Sequence, residues 1–289
     1  MNKRLALLTT LGLFSGALMA QDASSRLTRI RDNATMVISY SETSVPFSYI
    51  GKDGPIGFGI EIARRVADSV KEHLGLPELK IRWNPVTLYT RFPMVANQVV
   101  DLECVTTTNT RQRQDTVSFS NTFYVSDEGM AVRRGSTVQK LADLQGKNIA
   151  VARGTTTEAS LAARGFKVLP ERNNRSAMAA LVEGRADAYV AATSIIAGEM
   201  LRRQDAAGLQ LISSGGMPEA FGCMLPKGDA AYKQVVDAAL ARMMQSGEMA
   251  TLYNKWFMAP IAPAGRTLGL PLNAATQQAY DKPNDTAFE

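Results

Sequence analysis

MVANQVVDLECVTTT (94–108) and, 86 positions further on, ALVEGRADAYVAATS (180–194) align without a gap. Each reads as the end of a helix, a turn, an aspartate and a short apolar strand that runs out into small hydroxyl residues. One such unit is commonplace in an α/β chain, whereas two at a fixed offset point to two lobes of the same type. In doubly wound sheets ligands gather beyond the carboxyl ends of the strands. If the lobes face each other, the loops VTTTNTRQR and AATS face the same cleft.

The rest of the chain keeps the α/β rhythm of apolar runs alternating with amphipathic stretches. TMVIS (35–39) and 79–86 read as strands. Over Gly59–His73 the residues Ile60, Ala63, Val66, Ala67 and Val70 recur at helical spacing, with Arg64, Arg65, Asp68 and Lys71 on the other side and Gly75 placed to end the helix. His73 falls at the polar end of that helix and reads as a surface residue. A helix around 90–97 and a short strand at 101–105 follow. DLQGKNIAV (143–151) reads as a turn and a strand, and ARGTTTEAS (152–160) as the start of a helix capped by Thr155, Thr156 or Thr157. Free amides at a helix N-terminus attract carboxylates and phosphates. Thr106-Thr107-Thr108-Asn109, with Arg111 and Arg113 close behind, reads the same way, and Arg113 can add a bidentate guanidinium.

Composition narrows the chemistry. At 289 residues and 45% hydrophobic content the chain has room for two cores, and its net charge of +5 is mild and spread evenly, which argues against nucleic acid or an anionic membrane as the partner. With one histidine and two cysteines, neither a Cys/His zinc site nor a histidine-based hydrolytic triad is within reach. No metal and no cofactor is expected. Met1–Ala20 has a basic start (Lys3, Arg4), an apolar run too short and too interrupted to span a bilayer, and a small residue before Gln21, which is the pattern of a cleaved signal peptide. Export to an oxidising compartment makes Cys104 and Cys223 a disulfide, or else two buried thiols.

The segments SVPFSYI (44–50), VDLECVTTTNTRQRQ (100–114), RGTTTEASL (153–161), LVEGRADAYV (181–190), FGCMLPKGD (221–229), SGEMATLYNKWF (246–257) and YDKPNDTAF (280–288) together resemble the periplasmic glutamate/aspartate-binding proteins, the solute receptors of polar amino-acid ABC importers. The resemblance covers essentially the whole exported chain. It implies an α/β fold of two lobes in the type II periplasmic binding protein arrangement, with residues 21–127 and 222–289 in lobe 1 and 128–221 in lobe 2. Two crossing hinge strands are expected near Tyr124–Met130 and Gly222–Leu225, with the disulfide beside the hinge. It also implies a monomer that delivers a small carboxylate ligand to an ABC permease in the inner membrane.

Position by position, the resemblance assigns Arg113, Thr108 and Thr155 to the ligand α-carboxylate, Thr106 to a hydroxyl contact nearby and Arg91 to the side-chain carboxylate. Phe47 lies in a segment whose aromatics line the cleft wall, and an inward core role fits it equally. The departures bear on the ligand. Ser41 stands where the family has a second arginine, Leu88 where it has a serine, and Asn174 or its neighbour Asn173 where it has a histidine. Most consequentially, the aspartate that meets the ligand's α-ammonium falls at Ala192, followed by Thr193. Either another acid such as Glu42, or oxygens of Thr193, Ser194 and the backbone, holds an ammonium, or the ligand is a dicarboxylate or keto acid without one. Some proteins of this fold are secreted dehydratases of cyclohexadienyl acids, which need an acid or base in the cleft, and Glu42 and Glu103 are the carboxylates expected near it. The reading is a receptor, not an enzyme.

Overall fold

Strands buried on both faces need near-continuous apolar runs, and TMVISY supplies one: β1 (Thr35–Tyr40) is buried from Met36 to Ser39. The computed structural model describes residues 25–287, and the expected leader lies outside the described residues. β1 sits inside a five-stranded sheet of order β5 (Lys80–Pro85), β1, β6 (Leu102–Glu103), β13 (Glu219–Pro226), β7 (Val117–Ser126). β5 and β6 run parallel to β1, while β13 runs antiparallel to both β6 and β7. A second five-stranded sheet has the order β10 (Val168–Glu171), β9 (Ile149–Ala152), β11 (Ala188–Ala192), β8 (Glu128–Arg133), β12 (Leu209–Ser213). A small meander of β2 (Thr43–Ser44), β3 (Ser48–Gly51) and β4 (Gly54–Ile56) stands beside the first sheet.

Helices cover both sheets. α1 (Arg26–Asn33), α2 (Phe58–His73), α3 (Arg91–Ala96), the single turn α4 (Arg111–Gln114), α8 (Ala230–Gln245), α9 (Glu248–Tyr253) and α10 (Ala274–Asp281) belong with the first sheet. α5 (Thr156–Ala163), α6 (Asn174–Val182) and α7 (Thr193–Leu201) belong with the second. In α2 the expected stripe is buried through Ile60, Ala63, Val66, Ala67 and Val70, and Gly75 at φ +62° ends it. α1 is held by a buried ion cluster: Asp101 accepts the Val37 N–H at 2.7 Å and pairs with Arg26 at 3.1 Å and with Arg29.

The chain crosses between the sheets twice. It leaves the first between Ser126 and Glu128, and it returns through 214–218. The return was expected at Gly222–Leu225, but those residues lie inside β13, because Glu219, Ala220 and Phe221 already pair with Ser126, Val125 and Tyr124 in the first sheet. The two crossing segments therefore run side by side, with Glu219 paired to Ser126 at one end and the Ser214 N–H donating to the Glu128 carbonyl at the other. Under them lies an aromatic cluster in which Phe47 meets Tyr124 (centroids 5.0 Å apart), Phe221 (5.6 Å) and Phe257 (5.5 Å) edge-on. Phe47 is fully buried there, so of its two readings the core holds and the cleft wall does not: an apolar ring gains more from packing among rings than from a polar cleft. The Cys104–Cys223 disulfide ties the end of β6 to β13 next to these crossings.

Candidate functional site

The two loops singled out by the repeat do meet. Thr106, Thr108 and Arg113 from the first, and Ala191 and Ala192 from the second, line one cavity between the sheets together with Leu88, Arg91, Thr155, Thr156, Asn174 and Glu219. A neighbouring chamber, sharing Leu88, Arg91, Thr106 and Asn174, extends past Ser41, Glu42, Glu103 and Arg172.

Arg91 is the first residue of α3 and is 4% exposed. Its Nη1 reaches the Thr106 carbonyl only at 3.4 Å, and its Nε is buried without a hydrogen-bond partner. Burial pulls the guanidinium pKa down, opposed by the charges of Glu103 and Glu219. Unmet donors on a buried cation are costly, and a carboxylate in the cavity would satisfy them. Arg113 lies beside it, with Nη1 donating to the Thr108 carbonyl at 2.8 Å and Nη2 reaching the Gly154 carbonyl of the second lobe at 3.5 Å. Burial and the nearby Arg91 lower its pKa to about 10, which leaves it a cation at neutral pH. Both guanidiniums flank the ring of Phe92, at 5.3 Å and 5.1 Å from its centroid, a cation–π contact that steadies two like charges side by side.

The second lobe contributes the N-terminus of α5. Thr155 is its cap: the hydroxyl accepts the Glu158 N–H at 3.1 Å and donates to the Ala152 carbonyl at 2.7 Å. With that hydroxyl engaged, what Thr155 offers a ligand is its place at the positive end of the helix. The matching expectation for Thr106–Asn109 is corrected, because α4 is one turn capped by Thr110, too short to gather a helix dipole. On that side the groups that could meet an anion are Arg113 and the threonines. Thr106 and Thr108 are buried at the cavity, and the Thr108 and Thr156 hydroxyls approach to 3.4 Å across the cleft.

Asn174 points into the cavity at the start of α6 and its Oδ1 accepts the Tyr189 hydroxyl at 3.0 Å, while Asn173 is spent on capping that helix. Ser41 lines the adjoining chamber, bonded to Ser44 and Ser48. Thr193 is not brought to the cavity: it opens α7 and its hydroxyl packs on Gly129, because the strand-to-helix turn leaves Ala192 on the cavity wall and turns the next residue away. Glu42 and Glu103 both line the side chamber. Glu103 is fully buried on β6, where burial raises its pKa against the pull of Arg91, and it accepts the Thr107 hydroxyl at 3.2 Å.

Two residues escaped the sequence reading. Glu219, first in β13, places a carboxylate in the main cavity and accepts the Thr156 hydroxyl. Arg172, exposed before α6, stands in the side chamber with Ser41. Neither sits in the loop after a repeat strand; the signal for Glu219 is an acid at the mouth of an apolar strand directly after the SSGGMP loop.

Comparison with known proteins accords with this geometry. The model of the bacterial extracellular solute-binding proteins, family 3, matches residues 36–259. The L-glutamate/L-aspartate-binding protein of Pseudomonas aeruginosa is 34% identical over 288 residues, spanning 96% of this chain and 94% of that protein. The glutamate/aspartate import solute-binding protein of Salmonella typhimurium is 30% identical over 289 residues, spanning 96% of each. Among solved structures, the ancestral amino acid-binding protein AncCDT-1, a precursor of cyclohexadienyl dehydratase, superposes with a TM-score of 0.70 at 25% identity, over 80% of this chain and 99% of that one. With its family match across both lobes and its cavity lying between them, the chain belongs to the family 3 bacterial extracellular solute-binding proteins.

Proposed function

We propose that the protein captures an acidic amino acid of the glutamate or aspartate type in the cleft between its lobes and presents it to the membrane permease of an ABC importer. In this reading it acts as a monomer in the periplasm after removal of the leader, the first lobe formed by the chain before Asp127 and after Pro218 and the second by the segment between. The observation that carries the reading is the pair of guanidiniums, Arg91 with its buried and unpartnered Nε and Arg113 beside it, facing the capped N-terminus of α5. Two cations and a helix end suit a ligand with two carboxylates. Closure about the two crossings excludes water and strengthens each charged contact, and the difference between open and closed surfaces gives a permease a way to tell loaded from unloaded receptor.

Ala192 favours a second reading, capture of a non-amino organic anion, since that side of the cavity offers an ammonium only a methyl group. Reversible capture without turnover is proposed in either case. The test is a thermal-shift series with glutamate, aspartate, succinate, malate and 2-oxoglutarate. A ligand at 100 times its dissociation constant adds about 2.7 kcal/mol, enough to raise the melting point by a few degrees. Stabilisation by the amino acids supports the first reading, by the ammonium-free acids alone the second, and by none of them neither.

A further inference from the structure

We propose that Glu219 is the carboxylate that receives the ligand's α-ammonium, in place of the aspartate missing at Ala192. The assignment rests on the acidic-amino-acid reading and names the residue that makes an ammonium acceptable.

Among the described residues lining the main cavity, the charged side chains are Arg91, Arg113 and Glu219. The arginines serve carboxylates and can do nothing for an ammonium. Glu219 shares the cavity with Ala192 but enters from the other sheet, at the point where the returning chain joins β7 beside Ser126. The hydroxyl of Thr156 in the second lobe donates to it, and the Thr108 hydroxyl of the first lobe stands 3.4 Å behind that of Thr156. A carboxylate has about four lone-pair sites, so this bond orients it and leaves room for further donors. Burial raises its pKa, and the neighbouring Glu128 raises it further against the Thr156 bond and Arg113. The group is therefore short of positive charge where a ligand arrives, and an ammonium supplies it. A dicarboxylate without an ammonium brings more negative charge to the same enclosed carboxylate, which disfavours it. The same geometry also accommodates a purely mechanical role, a latch between lobes through Thr156, and the two roles make different predictions.

The experiment is calorimetric titration of the purified protein and its variants with L-glutamate and L-aspartate, each beside its deaminated counterpart, glutarate and succinate. Glu219→Gln keeps the shape and removes the charge. It is expected to weaken the amino acids by about 30-fold or more, as for loss of a buried charged partner, and to leave the deaminated acids equal or tighter. Glu219→Asp keeps the preference for the amino acid in part, and adding Ala192→Asp to Glu219→Gln restores it. An equal loss for both ligand classes in Glu219→Gln means a latch and overturns the assignment. Unchanged amino-acid affinity overturns it as well, with the proposed function intact. A wild-type protein that binds only the deaminated acids overturns the proposed function itself and this assignment with it.

Discussion

Gly198 of α7 lies directly on the backbone of Val45, so that a Cβ on the glycine falls 2.0 Å from the Val45 carbonyl oxygen. Val45 belongs to the turn between β2 and β3 and Gly198 to the second lobe, so the contact is one of approach between lobes. No Cβ fits at that distance unless the lobes stay apart. Gly198→Ala should therefore weaken ligand binding by about 10-fold or more, while the ligand-free melting point changes little. Isothermal titration beside small-angle scattering checks this; a variant that compacts on ligand addition as the wild type does would sink it.

In the proposed function Arg113 anchors a carboxylate from between the lobes, whichever carboxylate the ligand carries. Arg113→Ala should weaken every ligand the wild type accepts by at least about 10-fold. With its pKa at about 10, the side chain keeps its charge through the neutral range, so affinity should hold level from pH 7 to pH 8. Titration at those two values decides the matter, and unchanged affinity in the alanine variant refutes the role.

Asp101 is fully buried between Arg26, Arg29 and the Val37 amide. Removing one partner of a buried ion cluster leaves uncompensated charge, at a cost of about 3–5 kcal/mol. Urea denaturation of Asp101→Ala should show that loss, since both α1 and the edge of β1 depend on the carboxylate. A loss below 1 kcal/mol would mean that the arginines reach water instead.

Glu199 on α7 is 4% exposed, with Oε1 lacking a partner. Burial raises its carboxyl pKa, opposed by Arg202, Arg175 and Arg203. The folded state thus holds this proton more tightly than the unfolded chain does. The group costs nothing below the ordinary glutamate range of about 4.3, and its penalty grows as pH climbs through the raised value. Glu199→Gln should then melt higher than wild type at pH 8, with the gap closing as pH falls towards 4. Parallel melting curves across that range would show that the three arginines already compensate the charge.

Much of this was legible in the chain. The periodicity of α2, the cap at Thr155 and the meeting of the two repeat loops follow from local pattern, because helix faces and strand-to-helix turns are set by near neighbours. Arg91, Arg113, Thr106, Thr108, Thr155 and Asn174 come together at the cavity for that reason. Phe47 and Thr193 went the other way. Whether a ring beside a cleft points outward depends on the partners it finds, and Tyr124, Phe221 and Phe257 arrive from remote parts of the sequence. Glu219 was hidden because its place follows from where the second crossing falls, a matter of strand register between β13 and β7 rather than of local composition.

β13 lies between β6 and β7, yet it is made about a hundred residues after them. Strands β8 to β12, by contrast, are contiguous from Glu128 to Ser213. A chain that emerges from its N-terminus can finish the inserted sheet while the host sheet still lacks its fourth neighbour. Until then β6 and β7 present bare edges to each other, the kind of surface that invites pairing with a stranger. The interval of greatest exposure to misassembly opens when Ser126 is made and ends when Pro226 slides home.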